Sequence, residues 1–304
     1  MNKDYLDNTQ IDLERLKDDS YGFKQPERPK VKVLTPLILF CITFTAVLFA
    51  GAFQYGVNPF TDPAEAYKGL PFALTLIAIL LSHEMGHFLM SKHHDVVATL
   101  PYFIPAPNIL GTFGAFIRMK SPIPDRNALV DIGAAGPLSG FVVALPALII
   151  GIKMSPLVSL TANTGFKLGD SLLVSLISFL VRPGIPAGYE LGLNPIAFAG
   201  WIGMFVTAMN LIPIGQLDGG HIAYALFGRW YHLIARAALI ALVVMGIWGW
   251  EVWLFWALII LILGMGHPSP MNPYQPLDTK RKFIGVLAMI ILIITFIPVP
   301  FSGL

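Results

Sequence analysis

Long apolar runs separated by short polar breaks fill most of this chain. Runs near residues 34–56, 70–92, 128–152, 194–212, 231–249, 251–266 and 282–300 read as seven membrane helices, the sixth of them short. Residues 170–182 (DSLLVSLISFLVR) are apolar but too short to span and read as an interfacial or re-entrant helix. Residues 1–33 are polar and mixed in charge, and read as a cytoplasmic tail with a short helix around Thr9–Leu16. The first run, Leu34–Gly56, reads as a retained helix and not a cleaved signal peptide, because the polar stretch before it is too long and too acidic. Residues 101–120 break the helical pattern: Pro101, Pro105 and Pro107 exclude a helix, while Thr112–Lys120 is short, apolar and strand-like. The fold class that follows is an all-α polytopic membrane protein with its membrane-embedded domain over residues 34–304 and a strand-like element at 101–120.

Composition strengthens the membrane reading. The 304 residues are 55% hydrophobic and 12% charged, with a mean hydropathy of +0.69, against about 25% charged in a soluble domain. Net charge is only +2, and no basic patch interleaved with aromatics is present, so nothing points to nucleic acid as a partner. Cys41 is the only cysteine, which excludes an intrachain disulfide and a cysteine-based zinc site. Basic residues orient the spans. Lys24, Arg28, Lys30 and Lys32 precede the first helix and put the N-terminus in the cytosol; Lys92, Arg118, Lys120 and Arg126 mark the 92–127 loop as cytosolic, as Lys280, Arg281 and Lys282 do the start of the last helix. The 153–193 segment fits less well, since Lys153, Lys167 and Arg182 fall on the outer side. Trp248, Trp250, Trp253 and Trp256 read as an aromatic belt at the outer interface.

The chemistry is concentrated in the second run, LPFALTLIAILLSHEMGHFLMSK, which carries His83-Glu84-Met85-Gly86-His87. On a helix His83 and His87 lie one turn apart on one face, a spacing that holds one Zn²⁺, with Glu84 beside it as a general base. Ionisable groups in a membrane segment are costly and mark function. Two histidines leave zinc short of at least one protein ligand. The stronger candidate is Asp218, in the segment Asn210-Leu211-Ile212-Pro213-Ile214-Gly215-Gln216-Leu217-Asp218-Gly219-Gly220-His221, where proline and glycines break the fourth helix. Such broken backbone at membrane depth belongs beside protein or a water-filled cavity. Asp131 is the alternative, as a ligand, as a partner of a zinc-bound histidine, or as an interfacial residue.

HExxH in the second apolar helix, followed far downstream by N-x-x-P and L-D-G-G, resembles the site-2 protease family of intramembrane zinc metalloproteases. The stretch SHEMGHFLMSKHHDVVATLPYFIPAPNILGTFGAFIRMKSPIPDRNALVDIGAAGPLSGF is similar to the subgroup of plant chloroplast homologues and their prokaryotic relatives. The resemblance runs from about Leu70 to His221. It implies a three-helix catalytic core over about 70–221, one zinc held by His83, His87 and Asp218, Glu84 polarising the attacking water, and a single-pass membrane protein or a leftover membrane stub as substrate; the orientation read from the basic residues puts the cut near the cytoplasmic side. It also implies that 101–120 forms a re-entrant β element that pairs with substrate backbone. Asn210, one turn before the helix break, is a candidate for holding substrate backbone. The roughly 40 residues between the third and fourth helices are too few for the PDZ domain of many bacterial homologues, and no nucleotide-sensing domain follows. The absence of a Ser- and Arg-rich transit peptide points to a prokaryotic cytoplasmic membrane.

Two other classes compete: an inactive scaffold that binds membrane segments, and a metal or ion transporter. A transporter commonly shows inverted repeats, and HEMGH has no counterpart in the second half. Gly136-x-x-x-Gly140 reads as a small-residue packing face. His93 and His94 read as an interfacial pair, His221 as a residue near substrate or ligand, and His232 and His267 as peripheral.

Overall fold

In the computed structural model, residues 33–159 and 167–302 are described; the tail with its expected Thr9–Leu16 helix lies outside them, apart from Val33. The chain is mostly helical. Helices α1 (Leu34–Gln54), α2 (Leu70–His93), α3 (Arg126–Met154) and α5 (Pro195–Leu211) form the first half, with α4 (Leu172–Val181) a short apolar helix between α3 and α5. Helices α6 (Asp218–Phe227), α7 (Tyr231–Trp248), α8 (Val252–Leu263) and α9 (Thr279–Thr295) follow. Strands β1 (Tyr102–Pro105) and β2 (Thr112–Phe116) pair antiparallel, as do β3 (Leu157–Ser159) with β5 (Tyr189–Leu191), and β4 (Lys167–Leu168) with β6 (Phe301–Ser302).

By length and composition, four stretches can cross a membrane: Leu34–Gln54, Pro63–His93, Arg126–Met154 and Asp218–Trp248. The chain is a multi-pass membrane protein. The seven runs read from the sequence all contain helix, but α5 and α9 have only 17 residues each and α8 only 12, below the roughly 20 a straight crossing needs. Beyond the fourth run, which ends at 212, the chain restarts as α6, and α6 and α7 together make one 31-residue stretch. Periodicity missed α6 because its first residues are Asp-Gly-Gly-His, which carry no apolar face.

Local signals set the helix starts. Asp125, Ser171, Asn194 and Asp278 each cap a helix by accepting a hydrogen bond from the backbone N–H three residues on. Pro195 occupies the first turn of α5, where its missing N–H costs nothing. Pro137 and Pro146 sit inside α3, as neighbouring helices allow in membrane proteins.

The main apolar core lies between α1, α2, α3 and α5, around Phe72, Leu76, Leu148, Trp201 and Met204. A second cluster joins α6, α7 and α8 through Tyr231, Leu242, Trp253 and Ile260. Trp253 corrects the belt reading: it is fully buried and its Nε1 donates to the Pro298 carbonyl at 2.6 Å. Trp248, by contrast, is exposed. Ala134, Leu211, Ile222, Ala288 and Ile291 close α3, α5, α6 and α9 against one another.

Candidate metal centre

Helix α2 carries His83, Glu84 and His87, all buried. Helix α3 lies alongside it, and glycines decide how closely. A Cβ on Gly136 would overlap the His87 ring, and one on Gly140 would press on His83 at 3.3 Å. The Gly136-x-x-x-Gly140 face is therefore the seat of the two histidine rings as well as a packing surface. The close approach also lets the backbone of α3 orient a ring: His87 Nδ1 lies 2.8 Å from the Ile132 carbonyl oxygen. A carbonyl only accepts, so Nδ1 carries the proton and Nε2 keeps its lone pair.

The third group arrives from the helix break. Helix α5 ends at Leu211, Gly215 turns with φ of +60°, and α6 begins at Asp218. A Cβ on Gly219 would overlap the Leu211 carbonyl. Only glycine lets the start of α6 return against the end of α5, and that return aims the Asp218 carboxylate at α2. Its Oδ2 is 3.2 Å from His87 Nε2 and 3.3 Å from His83 Nε2, and the two Nε2 atoms are 3.2 Å apart. Among the described residues, His83, His87 and Asp218 are the group of His, Cys, Asp and Glu side chains that converges as a metal site does.

This near-equilateral triangle fits zinc. Ligands about 2.0–2.1 Å from a tetrahedral ion lie about 3.3 Å from one another. Two neutral imidazoles and one carboxylate are a donor set zinc accepts, and three protein ligands leave a position open for water. The backbone bond that orients His87 is the outer support such ligands usually have.

A cleft of about 220 Å³ opens on the triangle. Glu84, Asn210, Gln216 and His221 line it, together with Ala115, Phe116, Ile117 and Met119 from β2 and the strand-like run after it. The Ile117 backbone N–H points at the Glu84 carboxylate. Asn210 Nδ2 lies 3.3 Å from His83 Nε2. Strand β2 pairs with β1 in the register Tyr102 with Phe116 and Phe103 with Ala115; the ladder resumes at Ala98 with Met119.

Asp131 is not part of the triangle. Arg281 holds both its oxygens, Nη2 to Oδ2 at 2.7 Å and Nε to Oδ1 at 3.1 Å, and His94 Nε2 is 2.9 Å from Oδ2. That ties α9 to α3 and to the end of α2. His94 is thus a hydrogen-bond partner of Asp131 and not merely one of an interfacial pair. His267 also departs from its expected peripheral place: its Nε2 is 2.6 Å from His221 Nδ1. No spacing rule links either pair, because each joins residues more than 35 positions apart on different elements.

The sequence profile described as "Peptidase family M50" matches residues 71–248, the stretch that holds the triangle and its cleft. The chain belongs to that family, the site-2 protease family. Its relatives include "Probable zinc metalloprotease EGY1, chloroplastic" of Arabidopsis thaliana, 35% identical over 79% of this chain and 44% of that protein. EGY2 of the same plant, also a probable zinc metalloprotease, is 30% identical over 79% of this chain and 44% of its own length. EGY3 of Oryza sativa subsp. indica is 28% identical over 87% and 48%. The chain thus spans under half the length of these curated relatives. No solved structure matches it.

The glycine seat of the M50 site makes a prediction. Gly136→Ala should weaken zinc binding about tenfold to a hundredfold, since overpacking costs about 1–3 kcal/mol. Gly140→Ala, whose Cβ meets His83 at 3.3 Å, should cost much less. Zinc titration of the two purified variants against a competing chelator checks the order.

Proposed function

We propose that this protein is a zinc-dependent intramembrane endopeptidase that cleaves membrane-spanning segments of other proteins near the cytoplasmic side. The observation that carries it is the His83–His87–Asp218 triangle beside Glu84 in one cleft within a multi-pass helical fold. Family membership and relatives described as probable zinc metalloproteases support the same reading.

His83, His87 and Asp218 would hold the ion. When bound, zinc supplies a Lewis acid that brings the pKa of water to about 7 and polarises a carbonyl. Glu84, next to His83 and facing the same cleft, takes the proton of the attacking water and returns it to the leaving amine nitrogen. Asn210, at the cleft wall, holds substrate backbone.

A peptide bond inside a helix is hydrogen-bonded and shielded, so the substrate must unwind locally and its backbone groups need new partners. β2 has one partner strand among the described residues, and its residues Ala115 and Phe116 line the cleft. An extended substrate segment adds to it as a further strand. An apolar cavity of about 290 Å³ shares Asn210, Gln216 and Leu217 with the cleft and is walled by Trp256, Ile259 and Ile260. It has room for a large apolar side chain beside the cut.

The test is cleavage, in detergent or liposomes, of a single-pass reporter whose membrane helix is weakened by Gly and Pro. Purified protein should cut it, a chelator should stop the cutting, and added zinc should restore it. A loaded enzyme that binds the reporter without cutting it would favour the scaffold.

A further inference from the structure

The apolar cavity of about 290 Å³ beside the metal cleft lies between the helix break and α8. The two spaces share Asn210, Gln216 and Leu217, and Leu217 immediately precedes Asp218. Trp256, Ile259 and Ile260 of α8 wall the cavity, and no charged residue lines it. Close backbone contacts hold that wall to the metal-bearing turn. Gly215 and Gly264 have φ of +60° and +92°, and a Cβ on Gly215 would meet the Gly264 carbonyl oxygen at 2.9 Å. The buried Tyr231 hydroxyl lies 3.3 Å from the Gly215 carbonyl oxygen and 3.2 Å from that of Met265. Its one hydrogen therefore serves the turn before Asp218 and the end of α8 together. The cavity is built on the same turn that delivers the carboxylate, so its place relative to the metal triangle is set by backbone.

Size and chemistry narrow the occupant. An α-helix with its side chains is about 10–12 Å across, so the space is too small for a turn of a neighbouring helix. It suits one side chain of an extended segment, or a piece of acyl chain. The edge shared with the cleft separates these two. Asn210 and Gln216 carry carboxamides there, which donate and accept as a peptide backbone requires and an acyl chain does not. Resting on the peptidase reading above, we infer that this cavity is a specificity subsite that takes one large apolar side chain, leucine or phenylalanine, from a residue flanking the scissile bond. Trp256 and Ile259 are the specificity-determining residues, and Tyr231 is the positioning residue that fixes their wall. A charged side chain is rejected because the cavity offers it no partner. Selection then falls on substrates whose unwound segment carries a large apolar residue next to the cut, and not on any helix that unwinds.

The experiment uses full-length protein in liposomes and the weakened reporter. The cut is mapped by mass spectrometry, and the residue on each side of it is varied in turn among Ala, Leu, Phe and Lys. At one of the two positions Leu and Phe should exceed Ala about 10–100-fold in kcat/KM, and Lys should fall below Ala. Ile259→Trp should fill the cavity and bring the Leu-to-Ala ratio below about threefold. Trp256→Ala should widen it and raise the Phe-to-Leu ratio by about threefold or more. Tyr231→Phe should lower the Leu-to-Ala ratio severalfold with zinc retained. Each ratio is taken within one preparation, so a variant that folds poorly loses rate on both reporters and leaves the ratio readable. The inference is overturned if the parent's Leu-to-Ala ratio stays under about threefold at both positions. It is overturned equally if Ile259→Trp leaves the parent's ratio intact, the result expected of an acyl chain in the cavity. A parent that cuts nothing would overturn the peptidase reading instead, and this subsite with it.

Discussion

Glu84→Gln should lower cleavage about 10²–10⁴-fold while leaving about one zinc per chain in place. Glutamine matches glutamate in size and keeps an acceptor oxygen, so the cleft and its contact with the Ile117 N–H survive. What it loses is the capacity to accept a proton from water. Glu84 is also outside the triangle formed by His83, His87 and Asp218, so the ion should not depend on it. Reporter cleavage and elemental analysis on the same preparation give both numbers. The result sinks the proposed role if the variant cleaves at the parent rate, and sinks the proposed ligand set if zinc leaves with the carboxylate. Binding of the reporter should persist, which makes this variant the means of trapping natural substrates.

Much of this architecture was legible because membrane chains write it in hydrophobicity. Apolar runs located every long helix, and the N-cap residues Asp125, Asn194 and Asp278 set starts within a few residues of those expected. HEMGH was legible because helical geometry fixes its face without tertiary information. Asp218 was reachable through a local oddity, proline and glycines at membrane depth, which only a covered site tolerates. Contacts between distant elements were not legible. Asp131 meets Arg281 across 150 positions, and basic residues at the start of α9 had been read only as an orientation signal. His267 looked peripheral because its loop carries no periodicity; its place depends on how α8 returns the chain toward α6. The Trp cluster misled for a related reason. Tryptophan suits both interface and core, and only packing distinguishes exposed Trp248 from buried Trp253.

The two carboxylates that sequence alone left in competition should separate cleanly. Asp218→Asn should remove most of the zinc and all measurable cleavage. The amide keeps the shape of the side chain but not the charge, and neutral oxygen is a much weaker ligand for a dication. His83 and His87 would then be alone around the ion, short of the three protein ligands a catalytic site uses. Asp131→Asn should keep zinc, because its oxygens face Arg281 and His94 and not the triangle. Its cost should appear in stability. Arg281 is a quarter exposed, so solvent softens the loss of its partner, and a destabilisation of about 2 kcal/mol is expected, read as a lower Tm. Rate should fall modestly at most, through loosening of α9 against α3. Zinc content, Tm and cleavage rate measured on both variants form one test. Asp131→Asn emptying the site while Asp218→Asn stayed loaded would exchange their roles and require α6 to lie differently against α2. The opposite result would leave α6 as the element that completes the metal centre, and the glycines at 219 and 220 as the reason it can.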